Sequence, residues 1–366
     1  MVRDNKTLVA RRVSGLAGCA YWRDVLRVIA FGVCGIAAMA AEAERPVLTI
    51  SDDRFVVNGE PRFLVFVAYF DALRASAETL EADFNFLRAV GVDGIRIFPN
   101  WWNWANMRQF PEDTVVDGNG ELRPDRLSKL VEVVETAGKH ALVVDVSLAY
   151  ETVGGLSTLR EEDLGKSQGA LPVIHVDMRK HEKAVASLAR HLQSHRHIFI
   201  DIQNEFNGRI THLEQEEVAR LRDAIKKADP DRLVTASLAN EIGPEAVARV
   251  SNELGLDVVG WHESRNPWRY DAMDELTRQA KAVTRKPIYL GEPAYMGDEY
   301  SVENFITAVS KAKQGGAAAW TFHTQSGFDL SRQPLTALLT KDEKAFLESF
   351  KSRVDKVAWG RAGADA

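Results

Sequence analysis

Two glutamates follow apolar, strand-like stretches of the sequence: Glu205 in IFIDIQNEFNG and Glu292 in KPIYLGEPAYMG. A carboxylate directly after a run of β-branched and apolar residues is typical of the catalytic rim of a parallel barrel. Two such acids can cleave a glycosidic bond, because one protonates the leaving oxygen while the other attacks or stabilises the developing oxocarbenium ion. This chemistry requires the two acids to lie in different environments.

The elements that must position these glutamates alternate along the chain. Apolar stretches predict eight strands, at residues 62–68, 94–99, 141–147, 197–203, 233–239, 257–262, 287–292 and 317–322. Helical patterns lie between them, at residues 75–90, 124–138, 178–193, 213–228, 244–254, 270–284 and 302–314, and a closing helix begins near Lys341. This order predicts a single (β/α)8 TIM barrel with its catalytic groups after the strand C-termini. A doubly wound parallel sheet is the alternative.

A tight turn precedes the first barrel strand. Asn58-Gly59 separates two apolar alternations in FVVNGEPRFLVF, residues 55–66. Asn-Gly favours the left-handed backbone of two-residue hairpin turns, so the sequence predicts an N-terminal β-hairpin. We expect this hairpin to close the lower end of the barrel.

The motifs at the strand ends resemble those of one enzyme group. GVDGIRIFPNWW, NEF, GWHE, LGEPA and AAAWTFH follow predicted strands two, four, six, seven and eight in this order. The chain thus resembles the clan A glycoside hydrolases, most nearly the cellulase-like glycoside hydrolase family 5, over roughly residues 55–350. The resemblance implies that Glu205, after Asn204, is the acid/base and that Glu292 is the nucleophile.

The same resemblance implies further substrate-site residues. Arg96 would favour the ionised form of Glu292, and Asn204 would hydrogen-bond the sugar 2-hydroxyl. His262 matches a position that contacts nucleophile and sugar, and Trp320 matches the indole under the central subsite. The alternatives are a salt bridge at the barrel rim for Arg96, a strand-end cap for Asn204, and ordinary packing for His262 and Trp320.

Strand three both matches the family and departs from it. Asp145 stands where the family has an aspartate, but Ser147 stands where a histidine usually follows. Phe206 replaces the common proline after the acid/base glutamate. These departures leave the two catalytic positions in place and put a standard cellulase specificity in doubt.

Indoles are concentrated after strand two, in the sequence NWWNW. Aromatic rings stack on the apolar faces of sugars. Trp101 and Trp102 are therefore predicted to form a wall or platform for the substrate.

Other residue patterns in the chain could also form a catalytic or metal site. Asn240-Glu241 is a second Asn-Glu pair, but it follows strand five, one unit too late for the acid/base. His191, His195 and His197 could bind a metal ion, but they precede strand four and belong to the non-catalytic end. No metal and no cofactor are expected.

A Schiff-base aldolase or phosphate-binding barrel would need a lysine within a strand or a Gly-rich loop after strands seven and eight, and neither pattern occurs.

The first 43 residues differ in composition from the rest. Arginines up to Arg27 precede an apolar run from Val28 to Ala41, which is typical of a secretory signal peptide and short for a membrane span. An uncleaved anchor is the alternative. Both cysteines, Cys19 and Cys34, lie in this leader. We therefore predict a leader over residues 1–43, a catalytic domain over residues 44–366, and a secreted or periplasmic protein without stable membrane association after cleavage.

The charge balance limits the partners. The chain has 46 Lys and Arg against 52 Asp and Glu, a net charge of −6, and losing the basic leader makes it more acidic. This balance argues against nucleic acid as a ligand. The sequence predicts a monomeric, retaining β-glycoside hydrolase acting on a β-linked carbohydrate. A transglycosylase on the same scaffold and a non-catalytic carbohydrate-binding barrel are the alternatives.

Overall fold

The computed structural model describes residues 45–100, 114–149, 157–159, 174–207, 213–239, 242–263, 270–293 and 301–360. The leader prediction for residues 1–43 lies outside these ranges, as do Trp101, Trp102, Asn240 and Glu241. Among the residues that the structure describes, no helix has both the length and the apolar character needed to cross a membrane.

The first elements that the structure describes form a small antiparallel sheet. It comprises β1 (Leu48–Ser51), β2 (Arg54–Val57) and β3 (Glu60–Arg62). Asn58 and Gly59 turn the chain between β2 and β3 with φ of 52° and 84°, as the hairpin prediction required. Phe55 is fully buried, with its ring 5.8 Å from that of Phe199 inside the barrel. The hairpin therefore closes the lower end of the barrel with an aromatic side chain.

The main sheet is a parallel barrel. Its strands are β4 (Leu64–Ala68), β5 (Gly94–Ile97), β6 (Val143–Ser147), β9 (Ile198–Asp201), β10 (Leu233–Thr235), β11 (Leu238–Ala239), β12 (Val259–His262), β13 (Ile288–Leu290) and β14 (Ala319–Phe322). The short strands β7 (Ser157–Leu159) and β8 (Ile174–Val176) form a separate antiparallel pair. The sheet order is β10-β9-β6-β5-β4-β14-β13-β12-β11. Because only Ala236 and Ser237 separate β10 from β11, the two ends of this order are one interrupted strand, and the sheet closes there.

Helices cover the outside of the barrel. They are α1 (Ala77–Val90), α2 (Pro124–Lys139), α3 (Met178–His191), α4 (Gln215–Ala228), α5 (Pro244–Glu253), α6 (Met273–Lys281), α7 (Val302–Gly315), α8 (Leu335–Leu338) and α9 (Lys341–Val354). Local signals set their ends. Ser76 accepts a hydrogen bond from the Thr79 amide at the start of α1, and Gly91, with φ of 92°, ends it.

The predicted fold is confirmed, with two local differences. The sixth helix occupies residues 273–281 rather than 270–284, and the fifth strand is interrupted rather than continuous. The interruption has a steric cause on strand six. A Cβ at Gly260 would lie 2.6 Å from Thr235 Oγ1 and 3.1 Å from the Ser237 Cα, so the glycine allows strand five to bend close against its neighbour.

Side chains alternate across each barrel strand. Ile95, Val144 and Ile200 face outward into the core that packs against the helices. Inward-facing rings of Phe66, Phe199 and Tyr289 fill the lower barrel, with centroids between 5.4 and 6.0 Å apart. Above this apolar layer, the inward positions become polar, and that upper layer contains the candidate site.

Candidate active site

Arg96 is the centre of the polar layer and is fully buried. Its Nη1 donates to Glu292 Oε1 at 2.6 Å, and its Nη2 donates to Asn204 Oδ1 at 2.8 Å and to Asp201 Oδ2 at 3.2 Å. Its Nε donates to Ser147 Oγ at 2.8 Å and lies 3.0 Å from Asp145 Oδ2. One planar guanidinium thus fixes groups from β6, from β9 and the turn after it, and from the end of strand seven.

Strand register explains this convergence. Arg96 on β5 lies directly opposite Asp145 on β6, and Ser147 lies opposite Asp201 on β9. Since residues two apart on a strand share a face, Asp145 and Ser147 both point inward. Parallel pairing therefore places one cation and two carboxylates at the same height inside the barrel, as the alternation in VVDVS and IFID requires.

The buried charges do not balance. Burial by itself would lower the pKa of Arg96, but the charges of Glu292 and Asp145 outweigh burial and raise this pKa further above its usual range. Burial raises the pKa of Asp145 to about 7, an increase that Arg96 opposes and Asp201 reinforces. The Tyr289 hydroxyl donates to Asp145 Oδ2 at 2.8 Å, and Thr321 Oγ1 donates to Tyr289 at 2.9 Å. One arginine faces three carboxylates, so the cluster has an excess of negative charge. A proton held by Asp145 reduces this excess.

Glu205 lies on a strained turn just beyond β9. Its φ is 49°, in the left-handed region that residues with a Cβ rarely adopt. Its amide donates to Ser237 Oγ at 3.0 Å, and the next amide, of Phe206, donates to the Ser237 carbonyl at 3.0 Å. The side chain of Glu205 is 36% exposed, whereas that of Glu292 is 7% exposed. The two glutamates therefore occupy different environments.

Glu205, His262 and Glu292 face one another. His262 Nδ1 lies 3.0 Å from Glu205 Oε1. Each of the three side chains offers one nitrogen or oxygen atom, and these three atoms lie within 4.8 Å of one another. A Cβ at Gly291 would lie 2.7 Å from His262 Nε2, so the glycine before Glu292 makes room for the imidazole.

A wall of aromatic side chains adjoins Glu292. His323, immediately after β14, places Nδ1 3.8 Å from Glu292 Oε2 and packs edge-on against Phe70 with ring centroids 5.1 Å apart. Phe70 stacks on Phe98 at 4.5 Å and on Phe328 at 3.9 Å. The Arg96 guanidinium carbon lies 4.6 Å from the Phe98 ring centroid. His323 is the member of this wall that lies beside Glu292.

Six of the nine residues predicted for the site lie together in this network: Arg96, Asp145, Asn204, Glu205, His262 and Glu292. The prediction for Trp320 is wrong. Its side chain is fully buried in the outer core, with its ring 6.0 Å from that of Phe346 on α9. Trp261 on β12 also faces this outer core. Trp101 and Trp102 lie outside the described residues.

Sequence reasoning missed Asp201, Ser237 and His323. A signal for His323 was present in AWTFH, because the large apolar Trp320 and Phe322 alternate with the polar Thr321 and His323. The outer face of a barrel strand packs on helices, so the polar positions mark the inward face. Asp201 follows the same alternation on β9. The sequence does not indicate the break in strand five that makes Ser237 available to the Glu205 turn.

The histidines considered for a metal site do not form a cluster of ligand atoms among the described residues, although His195 Nε2 lies 3.8 Å from Glu135 Oε1. His197 Nε2 lies 2.9 Å from the Val134 carbonyl, and His191 Nδ1 lies 2.8 Å from the Ser187 carbonyl. Among the described residues, Glu205, His262 and Glu292 are the one group whose ligand atoms meet. Arg96 already neutralises Glu292 and His262 already pairs with Glu205, so the contacts within this group account for its geometry.

Comparisons with known proteins agree with the fold. No family profile and no curated protein matches the sequence. A GH5_18 protein from Streptomyces cattleya in complex with GlcNAc is 16% identical, with 82% of each chain covered and a TM-score of 0.56. A β-mannanase from the blue mussel Mytilus edulis is 15% identical, with 87% of this chain and 99% of that chain covered and a TM-score of 0.55. An endo-1,4-β-mannanase from Rhizomucor miehei is 12% identical, with 83% and 100% covered and a TM-score of 0.55. The predicted resemblance to clan A, family 5 glycoside hydrolases is confirmed at the level of the fold.

Proposed function

We propose that this chain is a retaining β-glycoside hydrolase in which Glu292 is the nucleophile and Glu205 is the acid/base. The observation that supports the proposal best is the approach of their carboxylate oxygens to within 4.8 Å. Retaining enzymes hold their two carboxyl groups about 5 to 5.5 Å apart, whereas inverting enzymes separate them by about 6.5 to 9.5 Å to admit a water molecule. The short separation favours direct attack by one glutamate.

The surroundings favour one assignment of roles. Glu292 contacts a buried, permanently charged arginine at 2.6 Å, so its ionised form is favoured, as a nucleophile requires. Glu205 contacts His262 at 3.0 Å and is partly exposed, so it can exchange a proton with solvent and with a leaving group.

The reaction then has two steps. Glu292 attacks the anomeric carbon, the glycosidic C–O bond breaks, and Glu205 gives its proton to the leaving oxygen. Glu205 next takes a proton from water, whose oxygen attacks the anomeric carbon as the bond to Glu292 breaks. The second step returns Glu205 to its protonated form and releases a sugar with its original anomeric configuration.

Asn204 supports recognition of a hydroxyl beside the anomeric carbon. Its Oδ1 accepts from Arg96, so the amide nitrogen faces away from the arginine and can donate to substrate. Hydrogen bonds to the sugar 2-hydroxyl strengthen toward the transition state of glycoside cleavage. Because two of the similar structures are named as mannanases, β-1,4-mannosides are the first substrates to test.

The decisive experiment measures hydrolysis of β-mannosides, β-glucosides, β-xylosides and the corresponding polysaccharides, and follows the anomer first released by proton NMR. We expect the β-anomer first from a β-linked substrate, and loss of activity in Glu205→Gln and Glu292→Gln but not in Glu132→Gln on the outer helix α2. Release of the α-anomer first would refute the retaining mechanism. Binding without turnover by the native protein would instead indicate a carbohydrate-binding barrel, and transfer to an added sugar acceptor would indicate a transglycosylase.

We also propose export, on the composition of residues 1–43. N-terminal sequencing of the protein from culture medium and periplasm is the test. A mature chain beginning near residue 41 or 44 is expected, and a full-length chain retained in the membrane fraction would refute cleavage.

A further inference from the structure

The interruption of strand five lies directly against the turn that holds Glu205. Ser237, in the gap between β10 and β11, is 3% exposed. Its hydroxyl oxygen accepts from the Glu205 amide at 3.0 Å, and its carbonyl accepts from the Phe206 amide at 3.0 Å. A continuous strand would direct these groups to a neighbouring strand, so the break makes them available to the Glu205 turn.

The Glu205 turn needs such support because its backbone is strained. A non-glycine residue with φ of 49° persists only where surrounding contacts impose that conformation. Asn207, two residues after Glu205, is held by the same part of strand five, because the Ala239 amide donates to Asn207 Oδ1 at 2.8 Å. Strand five thus contacts residues 205–207 at successive points.

Ser237 is also tied to the nucleophile. Its amide donates to Asp201 Oδ1 at 2.9 Å, and Asp201 Oδ2 accepts from Arg96, which in turn donates to Glu292. Ser237 therefore contacts the backbone of Glu205. It also contacts Asp201, which belongs to the hydrogen-bond network that orients Glu292.

We propose that Ser237 is a positioning residue that holds the Glu205 carboxyl where it can protonate the leaving group. This inference rests on the proposed function. Removing the hydroxyl leaves both backbone contacts of Ser237 in place and deletes only the acceptor for the Glu205 amide. The turn is then free to relax toward negative φ, which rotates the Glu205 side chain away from His262.

A structural measurement tests the positioning role without any substrate. In a crystal structure of Ser237→Ala, we expect Glu205 to leave the positive-φ region and its Oε1 to move out of hydrogen-bond reach of His262 Nδ1. If φ stays near 49° and the contact with His262 stays near 3.0 Å, the proposal is wrong. Ser237→Cys, which keeps the side-chain size and offers a weaker acceptor, gives the same comparison if Ser237→Ala does not fold.

A kinetic measurement tests the consequence for catalysis. Aryl glycosides with poor leaving groups need the proton from the acid, whereas 2,4-dinitrophenyl glycosides do not. We expect Ser237→Ala to lower kcat/KM about 10- to 100-fold on the poor leaving groups and less than about threefold on the dinitrophenyl substrate, since general acid catalysis contributes about 10²- to 10⁴-fold. Equal losses on both substrates, or none, would overturn the proposal.

Thr235→Val is the matched control. Thr235 lies on the same strand, is fully buried, and donates its hydroxyl to the Val258 carbonyl at 2.9 Å. We expect any loss in this variant to be the same for all leaving groups. A native protein that cleaves no glycoside would refute the proposed function, and the crystallographic comparison would still decide the role of Ser237.

Discussion

Replacing Arg96 with methionine removes the one cation in contact with three buried carboxylates. Asp145, Asp201 and Glu292 all lie within 3.2 Å of the guanidinium and are at most 7% exposed. Methionine fills much of the same volume and supplies no hydrogen-bond donor. The variant therefore keeps the packing approximately and leaves the carboxylates without their counter-charge.

The expected loss of stability is large and depends on pH. Breaking a buried ion pair by removing one partner costs about 3 to 5 kcal/mol, out of a total of about 5 to 15 kcal/mol for a typical protein. Without Arg96, the buried Asp145 loses the charge that opposes the increase in its pKa, so this pKa rises further above its value in the unfolded chain. The folded variant then binds more protons, so its stability is greatest below about pH 4 and falls as pH rises toward neutrality. The difference from the native protein should therefore be smallest in acid and largest above pH 7.

Arg232→Met provides a matched control at the opposite end of the barrel. Arg232 is also fully buried, lies 3.0 Å from Asp229, and donates to three backbone carbonyls. Asp229 keeps a second cation in this variant, because Arg196 lies 2.9 Å from it. We expect Arg232→Met to be destabilised with little dependence on pH, and to retain kcat/KM within about threefold when folded.

The assay is urea unfolding followed by circular dichroism at pH 5 and pH 8, with kcat/KM measured on the folded fraction. Arg96→Met should lose several kcal/mol more at pH 8 than at pH 5, and its kcat/KM should fall at least about 100-fold, the effect of removing a preorganised charge in an active site. If Arg96→Met unfolds within about 1 kcal/mol of the native protein at both pH values, the carboxylates are not paired as described and the reasoning fails.

Three further predictions address single residues of the site. Burial raises the pKa of Asp145 to about 7 from a usual 3.8, so its contribution to stability is complete below about pH 4 and is lost as pH rises to 7. Asp145→Asn should therefore flatten the fall in unfolding free energy between pH 4 and 7, and an unchanged slope in urea unfolding would contradict this. Asn204→Ala should reduce kcat/KM about 100-fold on a glycoside with a 2-hydroxyl and only slightly on the 2-deoxy analogue, whereas equal losses would exclude a contact with that hydroxyl. Glu205→Gly should abolish turnover while raising the unfolding free energy by about 1 kcal/mol relative to Glu205→Ala, because glycine adopts a φ of 49° without strain. Equal thermal midpoints for these two variants would show that the turn stores no strain.

The sequence was sufficient to predict the barrel and the functional residues at the ends of its strands. Glu205 and Glu292 could be predicted because each follows an apolar run, whereas Arg96 and Asp145 were predicted from the resemblance to family 5; parallel pairing explains why such positions meet at one rim. Trp320 was predicted from its match to the family's strand-eight indole, but its parity on β14 directs it outward onto Phe346.

Other features depend on three-dimensional context that a single sequence does not encode locally. The break at Ser237 arises from the close approach of strands five and six at Gly260, two segments separated along the chain. In the turn after β9, the left-handed residue is Glu205 and not the neighbouring Asn204, so residue type does not indicate that conformation. Such local conflicts with backbone preference are expected at functional sites, where surrounding contacts impose the conformation.

The different environments of the two glutamates follow from where each lies relative to its strand. Glu292 comes two residues after Leu290, the last residue of β13, where it contacts Arg96, and is 7% exposed. Glu205 comes four residues after Asp201, the last residue of β9, and the turn raises it to the rim, where it is 36% exposed. Sequence patterns treat both as carboxylates after a strand, so they cannot distinguish a nucleophile from an acid except by resemblance. Arg96 distinguishes them physically, because it contacts Glu292 and favours negative charge there, whereas Glu205 contacts His262 at the rim.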